Sequence, residues 1–236
     1  MRRLLSWLVI LVVIAGALVY FLPGPALKLV LERGGSSLAE TNVDIDRLDF
    51  SWNEDRSGAT IDRLTVANPS GFTDAMALSF DQIDVNVDRT RTNFDTIALK
   101  EMRVERPVIV YELGLGSNNI ETLKKTVERK AGGPGSSEGG FAPRYVIDRL
   151  VITEGELLVQ LAGGKLASTK LPAIDMKDIG AGTEGVTASE LGRIVMTQIN
   201  ANVATAAATR VIRDALGDAL GNTGGKIGDV IDDIFR

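Results

Sequence analysis

The sequence predicts a mainly β protein with helices: an N-terminal transmembrane helix, a curved antiparallel β-meander shaped as a groove, and a C-terminal amphipathic helix. Three observations predict it. Residues 4–22 carry no charge, apolar residues alternate with polar ones in short segments from Asn42 onward, and from Thr187 the apolar spacing becomes three and four residues. They divide the 236 residues into an anchor over 1–24, a β domain over 25–180 and an Ala/Gly-rich helical tail over 181–236.

The anchor comes first. Nineteen residues at about 1.5 Å each span roughly 28 Å, close to the hydrocarbon thickness of a bilayer. Arg2 and Arg3 precede the run, so the positive-inside rule leaves the N-terminus in the cytoplasm and carries the rest across. Trp7 and Tyr20 lie near its two ends, and Pro23-Gly24-Pro25 stops it. A cleaved signal peptide is the alternative, with Ala15-Gly16-Ala17 as the processing site. The apolar run continues past that triplet through Leu18, Val19, Phe21 and Leu22, which favours an uncleaved anchor.

Residues 26–40 read as a short amphipathic helix with Leu27, Val30 and Leu31 on one face, broken or ended by Gly34-Gly35. Alternation then begins, and with it a repeat. Ile45-Asp46-Arg47-Leu48, Ile61-Asp62-Arg63-Leu64 and Ile147-Asp148-Arg149-Leu150 share one tetrapeptide, followed two residues on by Phe50, Val66 or Ile152. Ile and Leu stand three apart, which a flat strand would place on opposite faces. A bulge at Asp-Arg returns both to one face and bends the strand. The same slip recurs between Phe80 and Ile83 and between Leu99 and Met102. Strands that all slip suggest a sheet that curls sharply; the alternative is that the slips mark strand ends or residues buried on both faces.

Turn residues at 53–58 and 68–71 end the first two strands, and Pro107 starts a new one over 108–113. Residues 118–130 read as a short helix with Leu123 and Val127 on one side, and 131–140 as a flexible Gly/Ser/Pro linker. Thr153-Glu154-Gly155-Glu156 reads as a tight hairpin turn, and 162–165 as a second hairpin leading to a last strand over 166–174. Thr187 and Glu190 form a capping box that opens the terminal helix, whose apolar stripe begins Leu191, Ile194, Val195.

Composition bounds the function. With no cysteine and no histidine, thiolate chemistry, disulfides and the commonest general base are excluded together. A net charge of -5 and 5% aromatic residues offer neither the basic surface nor the stacking platform of a nucleic-acid binder. The carboxylate pairs Asp81/Asp84 and Glu154/Glu156 read as ordinary solvent-facing residues, and Asp81, Asp84 and Asp88 lack the glycine turn of a calcium loop. No enzyme activity, catalytic residue, metal or cofactor is expected.

The anchor, the run Val43-Asp44-Ile45-Asp46-Arg47-Leu48-Asp49-Phe50, and Ile61 to Phe72 with its Ala67-Asn68-Pro69-Ser70-Gly71 turn resemble the N-terminal part of the AsmA-like family of bacterial envelope proteins. Residues 97–111 around Pro107, Asn118-Asn119-Ile120 with Leu123, and residues 147–157 are similar to that family's later strands and short Asn-containing helix. The resemblance covers most of residues 1–180; the chain is short for the family and ends in an unusual helix. It implies a single-pass protein of the bacterial inner membrane with its bulk in the periplasm, serving envelope maintenance by binding or transferring phospholipid along an apolar groove. Residues expected to line that groove are Phe50, Trp52, Leu64, Val66, Leu78, Phe80, Leu150 and Ile152. The alternative is an anchored scaffold for other envelope proteins, in which these side chains fill a closed core.

Overall fold

The computed structural model describes residues 24–53, 56–73, 75–112, 118–130, 143–160 and 166–187, and farther on 190, 191, 194, 195 and 198. The expected anchor, the linker over 131–140, the hairpin turn at 162–165 and the tail beyond 198 lie outside the described residues. Among the described residues no helix is long and apolar enough to cross a membrane.

The described residues form two helices and nine strands, in chain order α1 (Gly24–Ala39), β1 (Val43–Trp52), β2 (Ser57–Ala67), β3 (Met76–Val87), β4 (Thr96–Glu105), β5 (Val108–Glu112), α2 (Asn119–Lys130), β6 (Arg144–Thr153), β7 (Glu156–Gln160), β8 (Leu166–Lys170) and β9 (Ile174–Ile179). All nine strands belong to one sheet. Register reduces them to six continuous ones. β3 pairs with β4 from Gln82↔Glu105 and with β5 at Leu78↔Ile109, in one unbroken alignment. β4 and β5 are therefore halves of a single strand. By the same test β6 runs on into β7, and β8 into β9. Side by side the six are β1, β2, β3, β4–β5, β6–β7 and β8–β9.

This corrects two expectations. Residues 153–156 are not a hairpin turn, because β6 and β7 both run parallel to β4–β5 and do not pair with each other. Nor is the sheet antiparallel throughout. A parallel neighbour needs a long crossover, and the 31 residues between Glu112 and Arg144, α2 among them, supply it. Pro107 likewise interrupts a strand rather than starting one.

The phase slips fall on two lines across the sheet. The first passes through Asp46, Arg63, Asp81, Arg106 and Glu154, each skipped by the pairing while its neighbours on both sides stay in register. Arg63, Arg106 and Glu154 take the left-handed conformation, with φ of 48°, 46° and 55°. The second seam passes through Lys100, Asp148 and Asp178, the last with φ 55°. A bulge in one strand would have shifted register against its neighbour. Here neighbouring strands carry their extra residue at the same level, so each flips phase while register across the first seam survives. The predicted Asp-Arg bulges are thus pieces of shared seams: Asp46 and Arg63 belong to the first, Asp148 to the second.

Helix α1 runs through Gly34-Gly35, contrary to the predicted break, and covers the outer edge of β1. The Ile45 amide donates to Glu32 Oε1 at 3.0 Å and the Val43 amide to Ser36 Oγ at 2.8 Å, while Lys28 Nζ reaches the Asp46 carbonyl at 3.4 Å. Lys28, Glu32 and Ser36 stand four apart, on one helix face. They satisfy backbone groups that an open edge strand would leave for another chain. Helices and sheet share one core, with Leu31 and Ala39 from α1, Ile120 and Leu123 from α2, and Leu191 and Val195 packed against the sheet residues. The predicted capping box forms: the Glu190 amide donates to Thr187 Oγ1 at 3.2 Å, and the Thr187 amide to Glu190 Oε2 at 2.8 Å.

Candidate functional site

Because every strand flips phase at a seam, the same face of the sheet stays apolar on both sides of it. Rows of partners show this. Beyond the first seam lie Ile45, Leu64 and Phe80, then Val43, Val66, Leu78, Ile109 and Leu157. Between the seams lie Leu48, Ile61, Ile83, Val104, Ile152 and Ile174, then Phe50, Ala59, Val85, Met102, Leu150 and Met176. Past the second come Val87, Leu99, Ile147 and Ile179, with Trp52 at the end of β1. One apolar surface extends across three panels.

All eight expected groove residues lie on this face, but not at one spot. Leu64 pairs with Phe80 and Val66 with Leu78, which makes a compact group beyond the first seam. Phe50 and Leu150 share a row at opposite sides, four strand spacings or roughly 19 Å apart. Leu64, Val66, Leu78, Phe80 and Leu150 are buried, whereas Phe50, Trp52 and Ile152 are half-buried against the same core. Phe50 and Trp52 bring their rings to 6.4 Å, and the Arg89 guanidinium sits 5.6 Å over the Trp52 ring. Sequence reasoning left out Ile83, Val85, Met102, Val104 and Ile147, which are as central. For the first four the signal was the same phase slip, visible in β3 and β4 without the tetrapeptide, and for Ile147 it was the tetrapeptide itself.

The opposite face is more polar, although Val110 and Val151 are buried on it, and it carries charge along the first seam with alternating sign. Arg63 pairs with Asp46 at 2.9 Å, and Arg106 bridges Asp81 and Glu154, the latter at 3.6 Å. These groups are exposed, so each pair contributes little stability. Their alternation fixes which residues meet where the backbone ladder is interrupted. Two shallow dents lie on this face, one of about 380 Å3 along the first seam at Asp62 and Arg63, one of about 540 Å3 at Arg56, Asp84 and Lys100. Each mixes both signs of charge, so neither concentrates one sign for an ion. Asp84 accepts from Thr60 Oγ1 at 2.7 Å and Gln82 Nε2 at 2.8 Å. Among the described residues no group of three potential metal ligands comes together.

A buried polar node ties the far end of the sheet to α2. Glu112 accepts from the Thr73 amide at 2.6 Å and hydroxyl at 2.7 Å, and from Asn68 Nδ2 at 3.2 Å. Asn119 accepts from the Glu112 amide at 2.9 Å and donates to Asn68 Oδ1 and the Val110 carbonyl, both at 2.7 Å. Asn118 caps α2, its Oδ1 accepting from the Glu121 amide at 2.6 Å. The Asn-Pro-Ser-Gly turn and the Asn-Asn pair of the sequence thus meet in one network.

At the other end, Asp88 organises the loop after β3. Its carboxylate accepts from Thr90 Oγ1 at 2.7 Å, Arg91 Nε at 2.8 Å and the amides of both residues. Arg91 also holds Asp148 across the second seam. The hydrogen bonds, the Thr90 hydroxyl first, keep the Asp88 carboxyl far below its ordinary value of 3.8. A carboxyl whose pKa falls on folding stabilises above its unfolded value and loses that contribution as pH drops through the folded one. Asp88→Asn is expected to lose about 1–2 kcal/mol at neutral pH. Below roughly pH 3 the gap to the parent should narrow, measured by melting across pH. A gap that widens with acid would contradict this sign.

Comparison with models of known protein families, with curated proteins and with solved structures returns no match.

Proposed function

We propose that the chain is a membrane-tethered protein of the bacterial envelope, facing the periplasm, whose apolar sheet face holds phospholipid acyl chains. The observation that carries this is the apolar face kept continuous through two seams. Extra residues at the same level bend a sheet sharply, and a bent sheet whose apolar residues lie mainly on one side makes a trough. An unbent core would need no such device. The resemblance of residues 1–180 to AsmA-like proteins supports the same reading, as does the uncharged run over 4–22. The role is binding or transfer, with no bond made or broken. A single short trough would act as one segment of a longer path.

A second reading has its own support. Five of the eight groove residues are buried, which suits a closed core in an anchored scaffold for other envelope proteins.

Lipids extracted from the detergent-purified full chain and analysed by mass spectrometry separate the two. Phe50→Ser and Ile152→Ser are the informative variants, because half-buried positions tolerate a polar residue better than Leu150 or Phe80 would. Retained phospholipid should fall several-fold in both variants while the melting temperature shifts by only a few degrees. Equal lipid in parent and variants, or none in either, leaves only the scaffold.

A further inference from the structure

The direction of α1 says which end of the sheet faces the tether. Lys28, Glu32 and Ser36 meet Asp46, Ile45 and Val43 in that order, so α1 runs antiparallel to β1. Gly24, the first residue of α1, therefore lies toward the Trp52 end of β1. Only Pro23 separates it from the uncharged run that ends at Leu22. The end of β3 and the start of β4, with the loop of residues 88–95 between them, belong to that same end, since Ser57 and Gly58 face Trp52 and Ser51 on one side and Gly58 faces Asn86 on the other.

What gathers there suits a lipid surface. Among the described residues two large apolar side chains are left exposed: Phe94, 67% exposed, stands in this loop, whereas Leu29, 43% exposed, lies farther back on α1 beside Lys28, at the level of Asp46. Cations accompany Phe94: Arg89, stacked on Trp52, and Arg91, fixed by Asp88 and Asp148. The loop is tied by backbone bonds, the Asn93 amide on the Thr96 carbonyl at 2.8 Å and, from β6, the Arg144 amide on the Asp95 carbonyl at 2.8 Å. An apolar tip beside guanidinium groups matches the boundary between acyl chains and phosphates.

We propose that this end of the sheet rests on the bilayer, with Phe94 entering the headgroup region and Arg89 meeting a lipid phosphate. The trough then opens at the membrane surface, where an acyl chain would enter it past Phe50 and Trp52. This rests on the reading of the chain as membrane-tethered.

The test uses the full chain with Trp7→Phe and Trp52→Phe, reconstituted into phosphatidylethanolamine/phosphatidylglycerol vesicles with brominated acyl chains. Phe94→Trp supplies one probe, and Ser70→Trp, exposed in the turn after β2 at the opposite end, supplies the control. Flotation of the vesicles reports the tether independently. The expected result is flotation of both proteins, with the probe at 94 losing roughly half its fluorescence to the bromines and emitting to the blue, and the probe at 70 unaffected. Adding Arg89→Glu should reduce the quenching at 94. Flotation with no quenching at 94, or quenching at 70 instead, overturns the docking alone. Failure to float overturns the tether and the docking with it.

Discussion

Gly58→Ala should lower stability by at least about 3 kcal/mol, the largest effect expected of a methyl group added at a glycine among the described residues. A Cβ at residue 58 would stand 1.9 Å from the Val85 carbonyl oxygen and 3.0 Å from its carbon. Both are backbone atoms, so no rotamer change relieves the clash. Residue 58 also has φ of +155°, which side chains rarely adopt. It faces Asn86 on β3 beside the second seam, where the two strands approach closely. Relief would require β2 and β3 to part, and with them the rows that carry Phe50 and Val85. Gly71→Ala is the control. With φ of +98° and nothing within 4 Å of the added carbon, it meets only backbone strain, about 1 kcal/mol. Thermal melting of both variants should rank them in that order. Equal losses would mean that the close approach at Gly58 is not maintained.

Asn119→Ala should lose about 3 kcal/mol, which for a domain of this size lowers the melting temperature by roughly 6–12 °C. Asn119 is 0% exposed and its amide makes three hydrogen bonds. Alanine would leave the buried Glu112 amide and Val110 carbonyl, and the half-buried Asn68 Oδ1, without the partner each has there. Asn119→Asp keeps the acceptor for the Glu112 amide but loses both donors and sets a second carboxylate near Glu112. It should be at least as damaging at neutral pH. Hydrogen exchange resolves the two: protection at Glu112 should fall more in the alanine variant. A mild effect in both would show that α2 is held by its apolar face, Ile120 and Leu123, rather than by the node.

How much of this is legible in the sequence differs from element to element. The phase slips can be read strand by strand, since a three-residue gap between two core residues is a local signal. That they align into seams cannot, because alignment is a matter of register between strands. The misreading of residues 153–156 has the same root. A seam residue in the left-handed conformation uses the vocabulary of a turn, and Glu154-Gly155 looks like a hairpin whether the chain reverses or continues. The parallel junction is hidden too, because α2 and the residues after it serve a crossover as well as a loop. For the site, the tetrapeptide draws attention to Leu64, Leu150 and their neighbours. Ile83 and Met102 show the same slip without the tetrapeptide, yet neither they nor Val85 were counted among the groove residues. The partners of Asn68 and Asn119 lie 44 and 51 residues away, so no local pattern announces them.

By itself the sequence determined that this is a β-rich chain, uncharged over residues 4–22 and without the side chains of thiol or imidazole chemistry, whose strands must each flip face. Those are properties of composition and of spacing along one strand. The tertiary structure decided that the flips coincide, that six strands rather than nine make the sheet, that one edge lies under α1, and that Phe94 and Trp52 share the end toward which the start of α1 points. Each depends on which backbone amide finds which carbonyl across strands, a choice made by packing between residues distant in the chain.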